Sequence, residues 1–227
     1  MRRLVIIPII FLSFVISGCT ESASPGETSR ILTMGDSLLS SNAFVGESVS
    51  DAVEQEIGEP VIDRSVMGAS ILYALPITGA MGMKIEKQYT QGKWDWIILN
   101  GGGNDLLFGC GCRQCTRKID RLISSTGQLG QIPAMVSYLR NTGAKVIYVG
   151  YLRSPGTGSP IESCKDEGDK LEGRIAKMAA ADDGVYFLSL ANMVPYGDRS
   201  YHGVDMIHPS YKASREIGRK IATIINQ

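Results

Sequence analysis

The chain has 227 residues, 44% of them hydrophobic and 20% charged, enough for one large domain with a real core and too apolar for an intrinsically disordered chain. Its 23 basic and 23 acidic residues cancel, which argues against nucleic acid as a partner, since phosphate binding needs a basic excess on some face. Only two histidines occur, His202 and His208, so a His-rich metal centre is excluded and any imidazole base is one of these two.

The chain opens with Arg2 and Arg3, an apolar run from Leu4 to Val15, and then Ile16-Ser17-Gly18-Cys19. A positive start, about a dozen apolar residues and a small-residue ending describe an export signal, and the run is shorter than the roughly 20 residues a membrane span needs. The Ile-Ser-Gly-Cys ending resembles a bacterial lipobox. That resemblance implies cleavage after residue 18, a lipid on Cys19, and anchoring to the cell membrane or outer membrane with the domain in the periplasm or outside the cell. Loss of the two arginines leaves 21 basic against 23 acidic residues, a net −2. Residues 19–29 then read as a polar tether, able to extend at most about 35 Å, with the domain at 30–227.

From residue 30, short apolar runs alternate with amphipathic stretches. Arg30–Met34, Val61–Val66, Trp94–Leu99, Lys145–Tyr151 and Val185–Leu188 read as strands. Helical spacing marks Ala43–Ile57, Gln128–Arg140, Cys164–Ala181 and Tyr211–Ile225, with a partly helical segment near Gly79–Gln91. Alternation of this kind implies an α/β fold with three layers: a five-stranded parallel sheet covered by helices on both faces. Ligands in such folds bind beyond the carboxyl ends of the strands.

Those strand ends carry residues suited to chemistry. Gly35-Asp36-Ser37-Leu38-Leu39 follows the first strand, Met67-Gly68-Ala69-Ser70 the second, and Asn100-Gly101-Gly102-Gly103-Asn104-Asp105 the third. Asp205-Met206-Ile207-His208-Pro209 precedes the last helix. Singly, such a serine is usually a helix cap, such a glycine run a turn, and such an Asp-His pair surface chemistry. Their joint occurrence, in this order on one α/β domain, is what carries weight. Together GDSLL, Gly68, GGND and DMIH resemble the four blocks of the SGNH (GDSL) serine hydrolase family, whose fold is flavodoxin-like.

That resemblance implies a serine esterase acting on ester, thioester or O-acetyl bonds through an acyl-enzyme, with Ser37, His208 and Asp205 as the triad. It implies an oxyanion hole from the Ser37 and Gly68 N–H groups and the Asn104 amide, with no cofactor and no metal. The residue types fit: a serine needs an adjacent base, the base an orienting acid, and the oxyanion fixed donors. The expected substrate is an acylated small molecule, lipid or glycan. An acyltransferase with the same site and a non-catalytic glycan- or lipid-binding lipoprotein are the alternatives. No G-x-S-x-G elbow, P-loop, G-x-G-x-x-G or H-E-x-x-H is present. His202 matches no block and reads as a loop or pocket-rim residue, while Asp36 and Asp105 read as turn-stabilising neighbours. Arg153, in the Gly/Pro/Ser-rich loop after the fourth strand, is either an anion ligand or an ion-paired surface residue.

Four further cysteines, Cys110, Cys112, Cys115 and Cys164, form an even set in an exported chain, which favours two disulfides, with three pairings open. A bridge inside the 110–115 cluster would brace a loop beside the site, with the remaining cysteine tied to Cys164. A four-thiolate zinc site is the rival, though C-x-C-x-x-C copies a paired C-x-x-C poorly.

Overall fold

The computed structural model describes residues 29–156 and 158–227; the expected signal segment, Cys19 and nearly all of the tether lie outside them. Five strands, β1 (Ile31–Met34), β2 (Val61–Asp63), β3 (Trp96–Leu99), β4 (Lys145–Val149) and β5 (Val185–Leu188), form one parallel sheet in the order β2-β1-β3-β4-β5. This is the doubly wound order, in which connections leave β1 toward opposite edges and open a crevice at the carboxyl ends of β1 and β3.

Side chains alternate across the sheet with the strand period of two, and each face has its own core. Leu32, Met34, Ile97, Leu99, Val146 and Tyr148 point to one side. There they meet α4 (Gly103–Cys110), α5 (Thr116–Leu122), α6 (Gln131–Arg140) and α7 (Lys165–Ala179) through Leu106, Ile119, Val136, Leu139 and Leu171. Ile31, Trp96, Ile98, Ile147 and Val149 point to the other. They pack on α1 (Ser37–Ser40), α2 (Val49–Ile57) and α8 (Tyr211–Ile225) through Leu39, Val53, Ile217 and Ile221. Between β2 and β3 the chain forms α3 (Pro76–Thr78), a five-residue π turn at Gly79–Met83 and a 3-10 turn at Ile85–Gln88, consistent with the expected part-helical segment.

The three-layer α/β sandwich with five parallel strands is the architecture expected from the sequence. Boundaries differ for local reasons. The second strand stops at Asp63 instead of Val66, because the Asp63 carboxylate accepts from both the backbone N–H and hydroxyl of Ser65 and turns the chain. The helix expected over Ala43–Ile57 breaks at Gly46, which adopts φ 70°, and restarts at Ser48. Ser48 and Asp51 cap each other reciprocally, which satisfies two otherwise orphaned N–H groups. Sequence periodicity missed α4 and α5, both short and interrupted by the cysteine cluster.

Candidate active site

The first site segment is set by the end of β1. A Cβ on Gly35 would lie 2.0 Å from Asn100 Oδ1, so only glycine lets β1 and β3 end side by side here. Gln88 clamps Gly35 from the far side, accepting from its N–H at 2.6 Å and donating to its carbonyl at 2.8 Å. Asp36 and Asn100 then exchange two hydrogen bonds: Asp36 N–H to Asn100 Oδ1 at 2.9 Å, and Asn100 Nδ2 to Asp36 Oδ1 at 3.0 Å. Asp36 Oδ1 also accepts from the Leu38 N–H and caps α1, whose first residue is Ser37.

Asp36 has a wider role than a turn residue. Its second carboxylate oxygen accepts from the Tyr151 hydroxyl at 2.5 Å, and that hydroxyl accepts from the Gly103 N–H at 2.9 Å. The chain Asp36–Tyr151–Gly103 therefore links the start of α1, the end of β4 and the start of α4, where Asn104 stands. Burial pushes the Asp36 carboxyl up, opposed by the donors from Tyr151, Leu38 and Asn100. Burial likewise holds the Tyr151 phenol well above its ordinary value, reinforced by the Asp36 charge, so it stays a donor.

Asn104 donates from Nδ2 to the Ala69 carbonyl at 2.8 Å, which leaves its second amide hydrogen available. Asp105 accepts from the Ile71 and Leu72 N–H groups at 2.9 and 2.8 Å, pinning the segment after β2 onto α4. Gly68 lies in that segment at φ 77°, and a Cβ there would come no nearer than 3.5 Å to Met83. Its left-handed backbone, not close packing, is what requires glycine here. Neither the Ser37 nor the Gly68 N–H donates to a partner among the described residues.

His208 sits in the loop before α8. Asp205 Oδ1 accepts from the Ile207 and His208 N–H groups at 3.0 and 3.1 Å, while Oδ2 lies 2.5 Å from His208 Nδ1. Partial burial alone would raise the Asp205 carboxyl; those two N–H groups and the imidazole outweigh it and hold it below the usual range. The Ser159 hydroxyl donates to the Met206 carbonyl and ties the loop after β4 to this one.

Ser37, Asn104 and His208 all line one cavity of about 420 Å³. Asp205 stands behind His208, and Gly68 lines an adjoining depression of about 370 Å³ that shares Asn104. His202 is not at the rim. It is only 5% exposed, packed beneath the loop where it bridges to Pro209, and neither ring nitrogen has a partner among the described residues. Arg153 is spent on ion pairs at 2.8 Å to Glu172 and to Asp169, which fits the second of its two readings. Disulfides join Cys110 to Cys115 and Cys112 to Cys164, so the thiols are not metal ligands, and the described residues hold no other cluster able to bind a metal. Nothing in the local sequence marks Tyr151 beyond its place at a strand end.

The family model of GDSL-like lipases and acylhydrolases matches residues 33–215. None of the curated proteins matches the sequence. Similar solved structures include a Slackia heliotrinireducens protein described as an SGNH hydrolase, at 17% identity and TM-score 0.61, over 88% of this chain and 100% of that one. A carbohydrate acetylesterase family member from Sinorhizobium meliloti gives 14% identity and TM-score 0.62, over 88% of this chain and 97% of that one. A family two carbohydrate esterase from Clostridium thermocellum, solved with cellohexaose, gives 15% identity and TM-score 0.56, over 90% of this chain and 66% of that one.

Proposed function

The chain belongs to the GDSL-like lipase/acylhydrolase family, and from that membership we propose that Ser37, His208 and Asp205 are its catalytic triad. His208 takes the proton from the Ser37 hydroxyl as it attacks the acyl carbon, then gives it to the departing alcohol or thiol. Asp205 fixes the tautomer with the proton on Nδ1 and stabilises the imidazolium. Water, activated by the same histidine, releases the acyl group from Ser37. The Ser37 and Gly68 N–H groups and the second amide hydrogen of Asn104 serve the oxyanion, each donor worth about 10²–10³ in rate. The substrate is an ester, thioester or O-acetyl group on a small molecule, lipid or glycan; the carbohydrate esterases of similar fold keep glycans in that set.

The observation that carries this reading is the 2.5 Å pairing of His208 Nδ1 with Asp205 on the cavity that Ser37 also lines. A fluorophosphonate probe is expected to label the folded wild type and to leave Ser37→Ala unlabelled. A folded wild type that never labels overturns the triad.

The lipobox-like ending at Cys19 supports a second proposal, a lipid-anchored protein outside the cytoplasm. Several acyl chains hold a protein firmly where one does not. Ser29 leads into the amino end of β1, whereas Ser37 and Asn104 follow the carboxyl ends of β1 and β3. Cys19→Ala is expected to move the protein from the membrane to the soluble fraction; unchanged membrane retention removes the lipid anchor.

A further inference from the structure

The geometry points to an acyl-chain pocket: the cavity beside Ser37, walled by the Cys112–Cys164 disulfide and kept open by Gly168, takes an apolar acyl chain of on the order of six to twelve carbons. This rests on the triad reading and names the substrate class of the same site.

Three observations carry it. The first is size. At about 420 Å³ the cavity falls within the roughly 300–1,000 Å³ of pockets that bury whole ligands. With about 30 Å³ for a water-sized group, it holds on the order of a dozen such groups, far more than an acetyl.

The second is the chemistry of the wall. Leu106, Leu107, Leu152, Leu171 and Val194 line it together with both cysteines of the Cys112–Cys164 bridge. Apart from Glu162 at the mouth, the acidic and basic side chains in the wall are already matched. Arg153 pairs with Glu172 and Asp169, and the Asp36 carboxylate accepts from Asn100, Leu38 and Tyr151. Lys165 pairs with Asp169 at the exposed mouth, where Glu162 also lies. A sugar would lose its hydration against such a wall and find few partners in return; a hydrocarbon chain loses nothing.

The third is Gly168, the fourth residue of α7, which lines the cavity. Glycine weakens a helix interior, and here nothing in the backbone demands it. Its φ is not left-handed, and an added Cβ would meet nothing closer than Arg153 Cζ at 3.9 Å. What its missing side chain preserves is room.

The test is the chain-length profile of the full chain on p-nitrophenyl acetate, butyrate, hexanoate, octanoate and decanoate, for wild type, Gly168→Ala and Gly168→Leu. Wild-type kcat/KM is expected to rise from acetate toward octanoate, by up to about fourfold per methylene, the equivalent of about 0.8 kcal/mol per buried CH₂. Gly168→Leu is expected to lower the octanoate-to-acetate ratio tenfold or more, and Gly168→Ala to lower it by less. Thermal unfolding of each variant shows that the comparison is between folded proteins, and Gly168→Ala decides the matter if Gly168→Leu does not fold. A wild type that labels at Ser37 yet prefers acetate, or variants that lower all chain lengths equally, overturns the acyl pocket and leaves the triad standing. A wild type that neither labels nor hydrolyses any ester overturns both.

Discussion

At the scale of single residues, most buried polar side chains have partners, while the hydroxyls of Thr33, Ser41 and Ser50 and the His202 ring have none among the described residues. Asp36 is almost fully buried, yet every lone-pair direction it needs is met by Asn100, Leu38 or Tyr151. His202 is buried with neither nitrogen satisfied. Burial lowers its pKa below the reference 6.5, against the weaker pull of the Asp205 carboxylate. The unfolded chain therefore binds this proton before the folded one does. Stability falls as pH drops below about 6.5, by at most about 1.4 kcal/mol per pH unit, and levels off below the lowered folded value. His202→Leu removes both the unpaired group and this dependence. Urea unfolding at pH 8, 6 and 5 is expected to show the variant gaining on wild type as the pH falls; parallel curves would contradict it. From sequence, His202 and His208 were separable only by neighbourhood: His208 has an Asp three residues before it and a cavity in front, which the sequence shows half of.

At the scale of elements, helix–helix contact sets where the residue preferences of a lone helix stop applying. Gly218 sits inside α8, where alanine would raise helix propensity by about 1 kcal/mol. Against that, its Cβ would meet Ala52 Cβ at 2.5 Å and the Ala52 and Val53 backbone at 2.9 and 3.0 Å in α2. Overpacking of this kind costs about 1–3 kcal/mol, and backbone atoms cannot step aside as a side-chain tip would. Gly218→Ala is therefore expected to lower Tm by about 2–4 °C, measured by calorimetry; a rise would mean α2 and α8 separate easily. The elements themselves were legible where hydrophobic period was clean, as in α8 and β5. They were not legible in α4, where glycines at 101–103 read as a turn while the helix begins inside them, at Gly103.

For the whole molecule, the two disulfides differ in reach. Cys110–Cys115 closes five residues, but Cys112–Cys164 closes 52 and joins the turn after α4 to the start of α7. Chain entropy assigns about 2 kcal/mol to the first and about 4 kcal/mol to the second. Against a typical total of about 5–15 kcal/mol, losing the longer link is serious. The Cys112→Ala/Cys164→Ala variant is expected to unfold at clearly lower urea than Cys110→Ala/Cys115→Ala; equal midpoints would show that the longer bridge constrains little.

Local sequence pattern set the alternation of five strands with the longer helices and put Ser37, Gly68, Asn104 and His208 in the segments that follow strands or precede α8. Both follow from periods of two and 3.6 and from turn residues, which act over a few neighbours. Long-range packing settled which cysteines join, that Tyr151 links Asp36 to Gly103, that His202 is enclosed, and that Gly168 lines a cavity. Each of these depends on groups distant in the chain meeting in space, Asp36 and Tyr151 being 115 residues apart, and no local pattern records where two such groups will meet.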